Sequence, residues 1–273
     1  MLGTLLYDPR SGDGERDSVA YSIDMTGQVV LVTGGGRGVG DGIVQAYLEA
    51  GATVEICGRS TPGSLREHDG RVVHFSPVDV READEVAAWV EDVVRRRGRV
   101  DVAVNNAGGA PFAQFDAASP RFHAKINDLN FMSAVYVGLA VRPHLKQAGG
   151  SMVNITSISA RRSSPGTAVY GAAKAALESL TASLGVEWAP EVRVNAVSCG
   201  LVETPGSADH YGDAEQFARV AATIPRGVFA TPLEVGQACV FLSSPLATHI
   251  TGAVLNVDGG GEWPAFLQHT PNA

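Results

Sequence analysis

Cysteine is scarce in this sequence. Cys57, Cys199 and Cys239 are the three cysteines among 273 residues, and they lie far apart in the chain. A disulfide-stapled scaffold needs a dense and paired set, so this pattern argues against one and favours a reducing, cytoplasmic location. The seven histidines are scattered without the spacing of metal ligands, so no metal site is predicted.

Positive charge is scarce as well. The chain has 21 Lys and Arg against 29 Asp and Glu, a formal net charge of −8, and no basic block. A nucleic-acid partner is therefore not expected, because phosphate backbones are bound through clustered cations.

No hydrophobic run reaches the length of a transmembrane helix, and residues 1–18 lack the basic start and apolar core of a signal peptide. No membrane partner is expected either.

Apolar residues are plentiful. They make up 45% of the chain, against 18% charged residues, which is enough for a sizeable core and excludes global disorder. The length fits one α/β domain. We predict a flexible leader over residues 1–25, a folded domain over 26–261 and a tail over 262–273. The polar segment at about 204–229, called the flap below, either covers a site or is an ordinary surface excursion.

Apolar runs alternate with helical patterns along the domain. This alternation predicts a single-domain, Rossmann-type doubly wound parallel sheet of about seven strands, with helices on both faces. Ligands of such sheets bind beyond the carboxyl ends of the strands. The predicted strands cover residues 28–33, 53–57, 71–75, 101–104, 152–155, 191–196 and 253–257.

A glycine-rich turn follows the first predicted strand. It reads Gly34-Gly-Gly-Arg-Gly-Val-Gly40 and opens an amphipathic helix. Glycines let the backbone approach a pyrophosphate, and the helix N-terminus supplies free N–H groups. The turn therefore predicts a dinucleotide site, although a glycine turn without a ligand would look similar.

Two arginines flank the expected adenosine end of that site. The second strand ends at Gly58-Arg59-Ser60, where many NAD-binding units carry an acidic residue, and Arg37 lies within the glycine turn. Two cations suit a 2′-phosphate, so NADP(H) is favoured and NAD(H) stays possible. The alternative is a pair of arginines that simply face solvent.

Three polar side chains form the candidate reaction centre. Ser157 follows an apolar run, and Tyr170 and Lys174 stand at i and i+4 on one helix face. An ammonium one turn away is expected to lower the pKa of the phenol, and the serine hydroxyl can hydrogen-bond a substrate carbonyl. This set suits proton transfer at an oxygen whose carbon gives or takes hydride, whereas a lone Tyr-x-x-x-Lys would more often be a surface pair.

Small and amide-bearing residues end the neighbouring strands. Asn105-Asn-Ala-Gly108 forms a turn that a ligand can approach closely, and Asp79-Val80 follows the third strand. A helix is predicted from about 121 to 145, and Asn130 within it has apolar neighbours that suggest burial.

With these motifs in place, the chain resembles the short-chain dehydrogenase/reductase family over residues 33–260. The resemblance rests on the motifs that begin at Thr33, Asp79, Asn105, Asn130, Ser157, Tyr170, Asn195 and Asp258. It implies that Tyr170 is the acid/base and that Lys174 lowers its pKa and holds the nicotinamide ribose. It also implies that Ser157 orients the substrate oxygen and that Asn130 holds a water on a proton path.

The motifs and the resemblance together give a cofactor-binding set. The predicted cofactor contacts are Gly34, Gly36, Arg37, Gly38, Val39, Gly40, Arg59, Ser60, Asp79, Val80, Asn106, Ala107, Gly108, Tyr170, Lys174, Gly200, Val202 and Thr204. Asn195 and Asp258 are expected to be structural. One departure is Cys199-Gly200 in place of the family's usual Pro-Gly, and a buried, inert thiol is favoured there over a nucleophile.

The expected function is an NADP(H)-dependent oxidoreductase that interconverts a ketone and a secondary alcohol. An NAD-dependent, hydroxysteroid-like alcohol dehydrogenase and a non-catalytic nucleotide sensor remain as alternatives. An apolar small-molecule substrate is expected, and the resemblance implies a homotetramer or homodimer. The residues that suggest the apolar pocket are Val202, Tyr211, Phe217, Ile224 and Phe229.

Overall fold

The computed structural model describes residues 23–207 and 211–269. Its main sheet has seven parallel strands in the order β5-β2-β1-β6-β7-β8-β9, and β3 and β4 pair in a separate two-stranded sheet. The strands are β1 Val29–Thr33, β2 Thr53–Gly58, β3 Glu67–His68, β4 Arg71–Val72, β5 His74–Pro77, β6 Val102–Asn105, β7 Ser151–Ser157, β8 Arg193–Cys199 and β9 Val254–Val257. The predicted doubly wound fold is confirmed.

Helices cover both faces of this sheet. The helices used below are α1 Gly38–Glu49, α2 Ala83–Arg97, α3 Pro120–Asn127, α4 Ser133–Ala148, α5 Ala168–Glu187, α6 Ala214–Ala221 and α7 Pro232–Ser243. The α7 helix begins where the sequence predicts, since the Thr231 hydroxyl accepts a hydrogen bond from Glu234 N at 3.2 Å and Pro232 takes the first helical position.

The core lies in two apolar layers, one on each face of the sheet. Strand β1 shows why, because Val30 and Val32 enter the layer with α1 and α7, whereas Val29 and Leu31 enter the layer with α2 and α4. Successive side chains of a strand point to opposite faces, so a central parallel strand is apolar throughout. Every residue of β1 is buried.

The predicted strand at 71–75 is wrong in one respect. Residues Arg71–Val72 form β4, which pairs antiparallel with β3, and only the segment from His74 onward joins the main sheet as β5. The turn between β3 and β4 is Asp69-Gly70, with φ of 50° and 74°. Asp-Gly is a strong two-residue hairpin signal, because both positions need a positive φ.

The predicted helix at 121–145 is interrupted. It consists of α3 and α4, joined by a π-helical turn at Asp128–Met132. The turn contains Asn130, whose side-chain Nδ2 donates to Ile126 O at 2.9 Å, one helical turn earlier. Single π turns of this kind occur often at functional sites.

A buried carboxylate fastens the edge of the sheet to a helix. Glu55 in β2 is fully buried and accepts hydrogen bonds from Arg96 at 2.9 and 3.0 Å and from Arg97 at 2.6 Å. His74 Nδ1 lies 3.1 Å from the same carboxylate. The network satisfies the buried charge and joins β2, β5 and α2.

The tail contacts the flap and the loop after β7. The amide of Trp263 donates to Thr223 O at 3.0 Å, and Arg162 forms an ion pair with Glu262 at 3.2 Å. Within the described ranges, no helix is both long enough and apolar enough to cross a membrane.

Candidate active site

The candidate reaction centre lies at the carboxyl end of β7. Ser157 is the last residue of that strand and pairs in register with Cys199 of β8. Tyr170 stands in the first turn of α5, and Lys174 follows one turn later on the same face. The structure therefore brings the three side chains together, as the spacing in the sequence predicts.

The Ser157 hydroxyl lies close enough to the Tyr170 phenol that their interaction by itself lowers the tyrosine pKa. Burial outweighs this effect, so the pKa of Tyr170 is raised above its ordinary value of 10.0. The sequence leads us to expect the opposite direction, from the neighbouring ammonium. The structure differs because desolvation of the phenol is the largest effect on the Tyr170 pKa.

Lys174 is almost fully buried, with 3% of its surface exposed. Its Nζ donates to Ile155 O at 2.8 Å and lies 5.8 Å from the centre of the Tyr170 ring. Burial lowers the pKa of Lys174 from 10.5 to about 8, and a weaker interaction with the Cys199 thiol opposes that shift. An amine of this kind can gain or lose a proton near neutral pH.

Asn130 and Gly108 complete the wall beside Lys174. The Asn130 side chain accepts from Gly109 N at 2.8 Å and donates to Gly109 O at 2.9 Å, which fixes the loop after β6. A Cβ added to Gly108 would lie 2.7 Å from Asn130 Oδ1 and 3.1 Å from Lys174 Nζ. Any side chain at position 108 would therefore crowd the amide and the amine.

Thr33 organises the glycine turn, a role that no local signal in the sequence indicates. Its Oγ1 accepts from the backbone N–H groups of Asn106 and Ala107, both at 3.0 Å. The Asn106 side chain in turn donates to Thr33 O at 2.8 Å and to Gly34 O at 3.2 Å. The side chain of Asn106, predicted to contact the cofactor, thus braces the turn from behind.

The glycine turn has the shape that a nucleotide site requires. Gly34 has a φ of 65°, and a Cβ on Gly40 would collide with Gly34 O. Arg37, the N-cap of α1, makes no side-chain capping bond, so the first N–H groups of α1 stay available to an anion. Val39 is partly buried and packs against the core. A Cβ built on Gly38 would lie 3.6 Å from Thr204 Cγ2. These residues fit a dinucleotide cofactor.

The two arginines of the predicted phosphate site are exposed. Neither Arg37 nor Arg59 forms an ion pair with any residue that the structure describes, and Ser60 beside Arg59 is exposed too. The Asp79 carboxylate is occupied by Arg81, whose Nε donates at 2.9 Å and holds the Asp79 pKa below its usual range. Val80 is buried.

The segment after β8 continues the site. A Cβ on Gly200 would lie 2.7 Å from Asp258 Cα, so only glycine fits between the two strand ends. Val202 makes a parallel bridge with Ala230, and Thr204 N donates to the Ser207 hydroxyl at 2.8 Å. The loop is thereby anchored at both its start and its end.

Cys199 is a buried thiol at the end of β8. Burial raises its pKa to about 12, and the neighbouring Lys174 opposes that shift only partly. A thiol that stays protonated at neutral pH is a poor nucleophile. The geometry thus agrees with the favoured interpretation of an inert side chain in the place of the family's proline.

Two further residues brace the end of the sheet. The Asn195 side chain donates to Ile250 O at 2.8 Å and accepts from Ala253 N at 3.0 Å. Asp258 accepts from Gly260 N at 3.1 Å within the turn after β9. Both contacts agree with the structural roles expected for Asn195 and Asp258.

The flap carries an aromatic cluster. The rings of Phe217 and Phe229 stack with centroids 4.1 Å apart, and Tyr211 lies 5.1 Å from Phe229. Tyr211 acts electrostatically on Tyr170 and contributes to the raised pKa of that residue. Ile224 is buried beside Gly259, so it supports the flap rather than lining an open surface.

No group of three or more His, Cys, Asp or Glu side chains arranged as metal ligands occurs within the described part of the chain.

Comparisons with known proteins agree on one family. The family model described as Enoyl-(Acyl carrier protein) reductase matches residues 25–262. The 3-oxoacyl-[acyl-carrier-protein] reductase FabG of Chlamydia muridarum is 35% identical over 247 residues, which cover 86% of this chain and 98% of that protein. The L-fucose dehydrogenase of Bos taurus is 36% identical over 256 residues, covering 89% and 93%.

A solved structure gives the same result. The ligand-free aldohexose dehydrogenase of Thermoplasma acidophilum superposes with a TM-score of 0.80 at 28% identity, covering 85% of this chain and 93% of that one. The chain belongs to the short-chain dehydrogenase/reductase family and is an oxidoreductase that acts on CH–OH or C=O groups with NAD(P).

Proposed function

We propose that this protein is an NADP(H)-dependent oxidoreductase that interconverts a ketone and a secondary alcohol, with Tyr170 as the acid/base. The observation that carries the proposal is the meeting of Ser157, Tyr170 and Lys174 at the end of β7. In the sheet, β6 lies between β7 and β1. The glycine turn at the end of β1 provides the place for a dinucleotide.

The protein's own groups carry the proton. In the reducing direction the Tyr170 phenol gives its proton to the substrate oxygen, while Ser157 donates a hydrogen bond to that same oxygen. The nicotinamide cofactor supplies the hydride that reaches the carbonyl carbon when it is bound. Lys174, with a pKa of about 8, stabilises the phenolate that is left and can return a proton to it.

Asn130 positions this machinery. We assign it the role of holding a water between Lys174 and solvent, because its side chain fixes the loop whose Gly108 borders the amine. The π turn supports this role, since it removes Asn130 from the regular helical hydrogen-bond ladder.

The remaining predicted residues would hold the cofactor. The backbone of the glycine turn and the free N–H groups of α1 suit the pyrophosphate, and the exposed Arg37 and Arg59, which form no ion pair within the described ranges, suit a 2′-phosphate. The proposed set is Gly34, Gly36, Arg37, Gly38, Val39, Gly40, Arg59, Ser60, Asp79, Val80, Asn106, Ala107, Gly108, Gly200, Val202 and Thr204.

A second candidate is NAD-dependent oxidation of a secondary alcohol. The similarity to the L-fucose dehydrogenase of Bos taurus favours it, because that name describes a dehydrogenase. The two candidates differ in what Arg59 does. Arg59→Ala removes an NADPH preference if the arginines bind the phosphate, and leaves the nucleotide preference unchanged under the second candidate.

The substrate proposed here is a small molecule with an apolar body. The stacked rings of Phe217 and Phe229, with Tyr211 beside them, form an apolar cluster on the flap, and Tyr211 is close enough to act electrostatically on Tyr170. The flap, about 204–229, carries or borders all three rings, so we assign it the substrate side of the site, within a domain over residues 26–261.

We also propose self-association and a cytoplasmic location. Leu139 on α4 and Val186 on α5 are 72% and 81% exposed, and both lie on the helices before and after Ser157. Exposed large apolar side chains on neighbouring helices suit contact with a second copy, as a dimer or tetramer. The three buried free thiols suit a reducing compartment.

The test compares Tyr170→Phe with the unchanged protein. Nucleotide-fluorescence titration should give nearly equal NADPH affinities, whereas turnover on a panel of ketones and secondary alcohols should be lost. Retained turnover would show that Tyr170 is not the acid. Binding of neither NADPH nor NADH by the unchanged protein would remove the basis of the proposal.

A further inference from the structure

The loop between β2 and β3 crosses the glycine turn. It starts at Arg59 and ends at Arg66, and Pro62 in its middle packs on Gly36. A Cβ built on Gly36 would lie 2.6 Å from Pro62 Cγ, so the contact between loop and turn is close. The loop thus lies over the adenosine end of the proposed cofactor site.

A bidentate ion pair holds the end of this loop at Arg66. Arg66 Nε donates to Asp41 Oδ1 and Arg66 Nη2 donates to Asp41 Oδ2, both at 2.6 Å. Asp41 stands in the first turn of α1, the helix whose N-terminus faces the proposed pyrophosphate. The loop is therefore tied directly to the phosphate-binding element, and parallel double hydrogen bonds fix direction as well as distance.

The charged side chains around the loop fall into two groups, those in ion pairs and those without one. The carboxylates of Asp41 and Asp79 are each held by an arginine, Arg66 and Arg81 respectively. Arg37 in the glycine turn and Arg59 at the start of the loop form no ion pair with residues in the described ranges. No carboxylate of those residues therefore binds either guanidinium directly, and Asp79 acts on Arg59 only electrostatically.

We propose that the Asp41–Arg66 pair is a positioning device for the adenosine phosphate, which holds the loop on the glycine turn so that Arg37 and Arg59 face one 2′-phosphate. Arg66 acts here through the loop and does not touch the nucleotide. This inference rests on the proposed preference for NADP(H), and it adds a residue pair that determines cofactor specificity.

The decisive variant is Asp41→Asn/Arg66→Gln, which removes the ion pair and leaves the local net charge unchanged. NADPH affinity should fall about fivefold, the size expected for a well-formed but half-exposed ion pair. NADH affinity should change by less than about twofold, because NADH has no 2′-phosphate to position. Arg66→Lys, which keeps the charge but not the fork, should lose less NADPH affinity than the double variant does.

The matched control is Lys146→Gln/Glu191→Gln, which removes an exposed pair of 2.8 Å at the opposite end of the sheet. It should leave both nucleotide affinities unchanged, and circular dichroism should show all variants folded. Equal weakening of NADPH and NADH by the Asp41/Arg66 variant, or no change in either, would overturn the inference.

The proposed cofactor preference is tested separately by Arg59→Ala. If that change abolishes the NADPH preference while the Asp41/Arg66 variant keeps it, only the positioning role fails. If the unchanged protein itself prefers NADH, the cofactor proposal and the positioning role both fail, and titration of the unchanged protein alone reveals this.

Discussion

Lys174 should make the protein less stable at neutral pH than it would be without that charge. Its pKa falls from 10.5 in the unfolded chain to about 8 in the fold because burial disfavours the ammonium. Between those two pH values the unfolded chain binds more protons than the folded one, so the Lys174 contribution to stability rises with pH and is lost as pH falls towards 8. The difference of 2.5 units corresponds to about 3 kcal/mol at pH 7.

The change that tests this is Lys174→Met. It removes the buried charge but leaves Ile155 O without its 2.8 Å donor, which costs about 1–2 kcal/mol. We therefore expect the variant to be about 1–2 kcal/mol more stable than the unchanged protein at pH 7. By pH 9.5 about 2 kcal/mol of the penalty has gone, so the advantage should vanish.

Urea denaturation at pH 7 and pH 9.5, followed by circular dichroism, measures these free energies of unfolding. The quantity to compare is the difference between variant and unchanged protein, because Cys57, Cys199 and Cys239 also titrate on unfolding and cancel in that difference. The same difference at both pH values would refute the reasoning, since it would mean that Lys174 has the same pKa in the folded and unfolded chain.

Three further outcomes can be measured. Tyr170→Phe should reduce turnover at least about 100-fold, the usual contribution of a general acid, with NADPH binding retained in a fluorescence titration. Gly40→Ala should abolish nucleotide binding and lower the melting temperature, because its Cβ would collide with Gly34 O, whereas Gly63→Ala, whose Cβ meets nothing within 4 Å, should do neither. Glu55→Ala should reduce the free energy of unfolding by about 3 kcal/mol in urea, because it leaves Arg96 and Arg97 without their shared carboxylate; an effect below about 1 kcal/mol would show that solvent satisfies the two arginines.

The sheet and the positions of its motifs could be predicted because they are local. A strand, a glycine turn and a helix follow one another within residues 29–49, and each has a periodicity or a composition of its own. The Asp69-Gly70 hairpin carries a local signal too, but the apolar residues around it resemble one continuous strand.

Other features depend on contacts between distant parts of the chain. Thr33 reaches Asn106 and Ala107 across more than seventy positions, so its role has no local signature. The π turn at Asn130 preserves helical periodicity on both sides and changes no composition. The pKa of Tyr170 depends on how much of the phenol is buried, which spacing between residues does not reveal.

The contact between tail and flap makes tryptophan fluorescence a reporter of the flap. The chain has three tryptophans, and Trp89 and Trp188 are buried whereas Trp263 is 53% exposed. A collisional quencher in solution therefore acts mainly on Trp263, whose amide is bonded to Thr223 of the flap. The fluorescence that such a quencher removes reports the surroundings of the flap, without any attached label.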